Sequence, residues 1–211
     1  MKRILAPSLM LATALALSAC AGSDDSGSDH SGMPGMSASE SASPSGDAQR
    51  DEAFNDADVM FAQMMIPHHQ QAIEMSDVVL AKDGIDPEIT ELATQIKDAQ
   101  GPEIEQLTTW LDQWGADQPD ESMDMDHGDM GNESMDGMMS EDDMQALDDA
   151  QGAEAGRLFL EQMIVHHEGA IEMAQTEVEN GADEAAIEMA GTIVTSQSGE
   201  VRTMQDLLDS M

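Results

Sequence analysis

Cysteine is almost absent from this sequence, which contains only Cys20. A single cysteine has no partner for a disulfide bond, and no thiolate site for a metal ion can be built around it. Basic residues are scarce as well, since seven lysines and arginines stand against 44 aspartates and glutamates, a formal net charge of −37. Nucleic acid is therefore excluded as a partner, because phosphate binding needs positive charge. The acidic surface would attract cations, although a salt-adapted source would explain it equally well.

Long apolar runs are missing after the N-terminus, so no later segment is expected to cross a membrane. The first residues combine Lys2 and Arg3, an apolar run over 4–17, and Leu-Ser-Ala directly before Cys20, which is typical of a signal peptide. This junction resembles the bacterial lipobox, in which the cysteine becomes the acylated first residue. We therefore expect a signal peptide over 1–19 and a lipid anchor that holds the exported protein on the outer face of the cell membrane or in the periplasm. A soluble secreted protein with an unused thiol is the alternative.

Methionine, in contrast, is abundant, with twenty copies against three phenylalanines and no tyrosine. This is far more than a core needs to fill gaps. A connection as long as the polar, glycine-rich stretch 115–140 is usually functional or disordered. This stretch contains a group of candidate secondary metal ligands, namely Met123, Met125, His127, Met130, Met135, Met138 and Met139.

An internal repeat organises the rest of the chain. Residues 61–75 align without a gap on residues 159–173, and the similarity continues past a one-residue deletion, with Glu103 opposite Glu200. Apolar residues take helical spacing in both copies, so each copy predicts a hairpin of two helices. Before the repeat, residues 20–50 are rich in Ser, Gly, Asp and Ala and predict a disordered stalk, because they bury too little apolar surface to fold.

The sequence thus predicts an all-α domain over 51–211, a four-helix bundle made of two repeated hairpins. Its parts are hairpin 1 over 51–114, the connector over 115–140 and hairpin 2 over 141–211. The four helices are expected at about 51–82, 87–114, 141–180 and 184–209.

Residues that favour helix ends stand at these boundaries. Asp86 before a proline and Asp183 suit the N-cap of a helix, and Ser140 with an aspartate three residues later resembles a capping box. Gly84 and Gly181 suit the left-handed residue that follows a helix.

The candidate site lies in the repeated segments, each of which contains two adjacent histidines flanked by methionines. On a helix, the thioethers and the first imidazole share one face, and the second imidazole lies at its edge. Thioether and imidazole are soft to borderline ligands that suit Cu(I), or Ag(I) as its mimic, better than Mg²⁺, Ca²⁺ or Mn²⁺. The alternative is that these methionines only fill the core and each histidine pair is a satisfied polar pair. The predicted ligands are Met64, Met65, His68, His69, Met75, Met163, His166, His167 and Met173.

The doubled motif Met-Ile-x-His-His-x-x-Ala-Ile-x-Met, followed in each half by Gln-x-x-Glu, closely resembles the domain-of-unknown-function 305 family over nearly all of 51–211. The resemblance implies a ferritin-like four-helix bundle that is commonly exported. It also implies copper or silver binding of the kind found in some members and linked to copper tolerance. The expected partners are metal ions, a cuproprotein or copper exporter, a second copy of the chain, and the membrane through the lipid anchor alone.

Two other functions compete with metal binding. A di-iron oxidase needs inward glutamates and a Glu-x-x-His step, and no histidine of the repeats has a glutamate three residues before it. Nucleophile elbows, thiols and zincin helices are also missing, so we expect no enzyme. A lipoprotein whose acidic bundle docks a partner without metal is the second alternative.

Overall fold

The computed structural model describes residues 53–119 and 137–211. Within these ranges the secondary structure is entirely helical, which confirms the predicted all-α class. Its elements are α1 (Asp56–Leu80), α2 (Pro87–Trp114), α3 (Glu141–Asp149), α4 (Gly152–Asn180) and α5 (Glu184–Ser210). Among the described helices, none has both the length and the apolar character needed to cross a bilayer. The predicted signal peptide, the stalk and the lipidation site Cys20 lie outside the described residues. So do five of the predicted connector ligands, Met123, Met125, His127, Met130 and Met135.

Helices α1 and α2 form one hairpin, α4 and α5 form the other, and the hairpins meet mainly through α1 and α4. These two central helices run antiparallel, because the start of α1 lies at the end of α4. There, the Asn55 side-chain amide donates to the carbonyl of Asn180 at 2.9 Å, and the backbone N–H of Asp183 donates to the Asp58 carboxylate at 2.9 Å. The four long helices therefore form the predicted bundle of two hairpins.

The predicted capping residues begin their helices. Asp86 accepts from the backbone of α2, Asp183 accepts from that of α5, and Ser140 forms a capping box with Asp143 at the start of α3. Helix α1 begins at Asp56 and not near residue 51, because the Asn55 side chain caps it there.

The single helix expected over 141–180 is wrong, since the structure divides it into α3 and α4. Ala150 takes an extended conformation at the end of α3, and Gly152 has a φ of 57° that breaks the helical path. The break lets α3 pack against both α1 and α4, with Leu147 fully buried in the core. A continuous helix would carry these residues away from α1.

The two hairpin turns use their glycines differently. Gly84 has the predicted left-handed conformation, with a φ of 80°. The same prediction for Gly181 is wrong, since its φ is −65°. A glycine is needed there because a Cβ atom would lie 2.3 Å from Oε1 of Glu177.

Glu177 belongs to a buried pair of carboxyl groups with Asp58 at this end of the bundle. Burial would raise the pKa of Asp58, but hydrogen bonds from Glu177 and from three backbone N–H groups lower it below its usual value. Burial, followed by the hydrogen bond to Asp58, raises the pKa of Glu177 to about 8. Glu177 is therefore protonated at neutral pH and donates to an ionised Asp58.

The core consists of two clusters that the repeat exchanges. The Met75 cluster includes Ala72, Met75, Ile96, Phe159 and Met163. The Met65 cluster includes the repeat counterparts of four of these residues, namely Phe61, Met65, Ala170 and Ile193. For each of these four pairs, one residue therefore lies in one cluster and its counterpart lies in the other, as a pseudo-two-fold relation between the hairpins requires. Trp110 and Trp114 stack on each other at the Met65 side, in the packing role expected for aromatic residues near a helix end.

Candidate metal centre

The four histidines of the repeats form a buried layer between α1 and α4. Their exposed fractions are 2% for His68 and 0% for His69, His166 and His167. The rings of His68 and His166, which are repeat counterparts on the two central helices, lie 3.7 Å apart between centroids with 40° between their planes. The helical repeat and the antiparallel packing thus bring the two His-His steps to one level of the bundle.

The second histidine of each step contacts a glutamate from the neighbouring helix of its own hairpin. His69 Nε2 lies 2.9 Å from Oε2 of Glu103 on α2, and His167 Nε2 lies 2.7 Å from Oε2 of Glu200 on α5. The glutamate side chains are 19% and 23% exposed, so they connect the buried rings to the surface. Sequence reasoning assigned these glutamates no role, although their matching positions in the repeat were a usable signal.

Electrostatics keep His166 neutral. Burial, followed by the neighbouring His68, His167 and His69, holds its pKa well below the ordinary value, and a backbone interaction with His68 offsets this only in part. The backbone of His68 interacts with one ring nitrogen of His166, so the other remains available to a ligand. Among the described residues, Nδ1 of His167 has no hydrogen-bond partner. Neutral imidazoles with a free lone pair are the form that coordinates metal ions.

The predicted methionines are divided between the two sides of this layer. Met75 and Met163 are fully buried in one cluster, whereas Met65 is buried in the other, with Met173 half-buried against it. Met64 is half-buried and belongs to neither cluster as described. The structure therefore places thioethers on both sides of the histidines and not in one continuous group.

Two described connector residues have different environments. Met138 is half-buried, whereas Met139 is buried and belongs to the Met75 cluster. Gln162, which occupies the position of Met64 in the second repeat, donates through Nε2 to the carbonyl of Asp143 at 2.9 Å. Its role is to attach α3 to α4.

The donor set is that of a soft ion. Nowhere in residues 53–119 and 137–211 do three side chains of His, Cys, Asp or Glu come together as a metal-binding group. A metal ion at the histidine layer would therefore need methionine sulfur to complete its coordination. Thioethers and neutral imidazoles together fit Cu(I) or Ag(I), whereas Mg²⁺ and Ca²⁺ require oxygen ligands.

The fold and the site define a class of small helical proteins in which two related hairpins bring paired histidines and methionines into one core. The family model of the domain of unknown function 305 (DUF305) matches residues 58–208, and the chain belongs to this family. No curated protein matches this chain.

Solved structures of other DUF305 proteins are similar to this chain. One, from Streptomyces coelicolor and thought to be secreted, is 34% identical, with 73% of this chain and 91% of that chain covered and a TM-score of 0.65. A DUF305 fragment from Deinococcus radiodurans is 29% identical, with 74% and 98% covered and a TM-score of 0.64.

CopM in its Cu(I)-bound form is 32% identical, with 72% of this chain and 96% of CopM covered and a TM-score of 0.58. CopM structures with Cu(II) and with Ag bound, and an apo form, are similar to the chain as well.

Proposed function

We propose that this protein is an extracytoplasmic lipoprotein that binds Cu(I), and Ag(I) as its mimic, for copper sequestration, tolerance or delivery. The observation that carries the proposal is the buried pair His68 and His166, whose rings lie 3.7 Å apart between two methionine-containing clusters. The bound ion is the cargo of the protein. We propose binding and not catalysis.

The energetics of the histidine layer favour a ligand. A buried polar atom without a partner costs about 1–3 kcal/mol, and His166 contributes at least one such nitrogen atom among the described residues. A metal ion that accepts an imidazole lone pair would recover part of this cost. Its positive charge would be offset by the carboxylates of Glu103 and Glu200, which contact the outer histidines.

The relatives support the choice of metal. CopM has been solved with Cu(I), Cu(II) and Ag, and it is about as similar to this chain as the other DUF305 proteins are. Export is supported by the predicted signal peptide and by the relative thought to be secreted. The lipid anchor rests on Cys20 and the lipobox-like sequence before it.

The test is an anaerobic titration of the purified protein with Cu(I) against a competing chelator, and separately with Fe(II). The variant replaces both inner histidines, His68→Leu with His166→Leu, and the matched control replaces the exposed Met60 by leucine. We expect the wild type and the control to bind Cu(I) and the double variant to bind it at least 100-fold more weakly. The apo double variant should stay folded, because leucine fills the space of each buried ring with an apolar side chain, and its thermal unfolding is measured beside that of the wild type.

Other outcomes identify the alternatives. Uptake and oxidation of Fe(II) would support an oxidase. Binding of neither metal would leave the docking lipoprotein. A double variant that unfolds much more easily yet keeps its Cu(I) would show that the histidines serve packing alone.

A further inference from the structure

The last residues of the connector are fixed against α1 by one side chain. The backbone N–H of Met139 donates to Oε1 of Gln71 at 2.7 Å, and Nε2 of Gln71 donates back to the carbonyl of Met139 at 2.9 Å. Both bonds are buried, so together they contribute about 1–3 kcal/mol to holding this backbone in place. Gln71 lies on α1 one turn beyond His68, which sets Met139 near the level of the histidine layer.

The same segment crosses α4 at close range. Gly137 has a φ of 89°, and a Cβ atom there would lie 2.9 Å from the Cα of Gly169 and from the carbonyl oxygen of Val165. Val165 directly precedes His166, and Gly169 follows it by one turn. Residues 137–139 therefore pass over both central helices beside the inner histidines.

Among residues 53–119 and 137–211, this arrangement exists on one side only. Gly169 is the repeat counterpart of Gln71, and a glycine has no side chain with which to bind a second segment. The Met75 cluster contains four buried methionines, Met75, Met139, Met163 and Met204. The Met65 cluster contains Met65 alone as a buried methionine, with Met173 and Met189 only partly buried beside it.

Packing does not require sulfur at these positions. Leu107, the repeat counterpart of Met204, fills the equivalent place in the Met65 cluster with no exposed surface. Leucine and methionine have similar volumes and usually exchange at a cost below about 1.5 kcal/mol. Met204 therefore adds a sulfur atom at a buried position whose repeat counterpart packs without one.

We infer that Met139 and Met204 are metal ligands of a single, thioether-rich Cu(I) site between the inner histidines and the Met75 cluster. This site binds Cu(I) more tightly than the Met65 side does. The inference rests on the proposed function. It makes Gln71 a positioning residue, which acts by fixing the backbone of Met139. The Met65 side, with one buried thioether, binds more weakly or not at all.

The experiment compares three variants that each remove one sulfur atom and keep the volume, Met139→Leu, Met204→Leu and the control Met189→Leu, at a partly buried methionine beside the Met65 cluster. Each is titrated with Cu(I) under anaerobic conditions, and a sample with one equivalent of Cu(I) is measured by X-ray absorption at the copper edge. We expect Met139→Leu and Met204→Leu each to weaken the tightest site about 10-fold and to lower its sulfur coordination number. Met189→Leu should change neither quantity.

Two results would overturn the inference. One is a tightest site with unchanged affinity and sulfur number in Met139→Leu and Met204→Leu. The other is an equal loss in Met189→Leu. If the wild type binds no Cu(I), the proposed function fails instead, so the two failures are distinguishable. Circular dichroism of each variant separates loss of a ligand from loss of the fold.

Discussion

The two hairpins are alike around the histidines and differ elsewhere. His68, His69 and Glu103 of the first hairpin correspond to His166, His167 and Glu200 of the second, in burial and in their contacts. The surrounding features have no such match. The carboxyl pair at one end of the bundle corresponds to an apolar pair, Gly156 and Val79, at the other.

The repeat therefore preserves the histidine layer, whereas the buried residues at each end of the bundle and the number of buried methionines on each side differ. Selection for two equivalent binding sides would have kept Gln71 and its counterpart alike, yet the counterpart is Gly169. The differences can be tested one at a time, because each has a matched position in the other half.

The largest effect is expected at the hairpin turns. Gly181→Ala places a Cβ atom against the buried side chain and the carbonyl of Glu177, and we expect a loss of about 2–3 kcal/mol in the free energy of unfolding. In Gly84→Ala, only the left-handed backbone is strained, so we expect a loss of about 1 kcal/mol in the free energy of unfolding. Urea unfolding of both variants measures the difference. Equal losses would show that the two turns use their glycines for the same reason.

The second effect depends on pH. The folded-state pKa of Glu177 is raised to about 8 from 4.5. Protonated Glu177 therefore makes its full contribution to the free energy of unfolding below pH 4.5, and this contribution is lost as the pH rises through about 8. Between pH 6 and 9 we expect the wild type to lose about 2 kcal/mol that Glu177→Gln does not lose. Urea unfolding at each pH measures this difference.

Glu179→Gln, an exposed position on the same helix, serves as the control for the general charge of this acidic chain. Asp58 does not interfere, because its lowered pKa affects stability only at acidic pH. Parallel pH profiles of the wild type and Glu177→Gln would contradict the assignment of the buried proton.

The smallest effect is expected at the outer histidines. Glu103→Gln and Glu200→Gln keep the shape but remove the negative charge beside His69 and His167, and each should weaken Cu(I) binding by up to about 10-fold. The chelator competition assay measures both. If the ion is held near the inner histidines, both variants should lose similar Cu(I) affinity, because each glutamate contacts the outer histidine that adjoins one inner histidine. A loss in only one variant would show that the ion is bound by a single hairpin.

Much of the fold was accessible from the sequence, because its determinants are local or periodic. Asp86, Asp183 and Ser140 mark helix starts through bonds to their own neighbours, and helical spacing with an exact repeat predicts two hairpins whose histidines meet. The break between α3 and α4 was missed because a single glycine, Gly152, does not by itself end a helical pattern. The packing of α3 on α1, which requires the break, has no local signature.

Two other features were not predicted for the same reason, one at the end of the bundle and one beside the candidate site. Asp58 and Glu177 are far apart in the chain and meet only because α1 and α4 run antiparallel. The burial of Met139 depends on an amide of α1 and on the close approach of Gly137 to α4, neither of which follows a periodic pattern. From the sequence, all the methionines of the connector were predicted to bind metal, and nothing distinguished Met139 among them.

The most direct test of the central claim is the position of the ion itself. Crystals grown anaerobically with one equivalent of Cu(I) would give an anomalous diffraction signal at the copper edge. The account predicts one dominant peak next to the rings of His68 and His166, on the side of the Met75 cluster. A dominant peak among surface carboxylates, with none at the histidine layer, would contradict it.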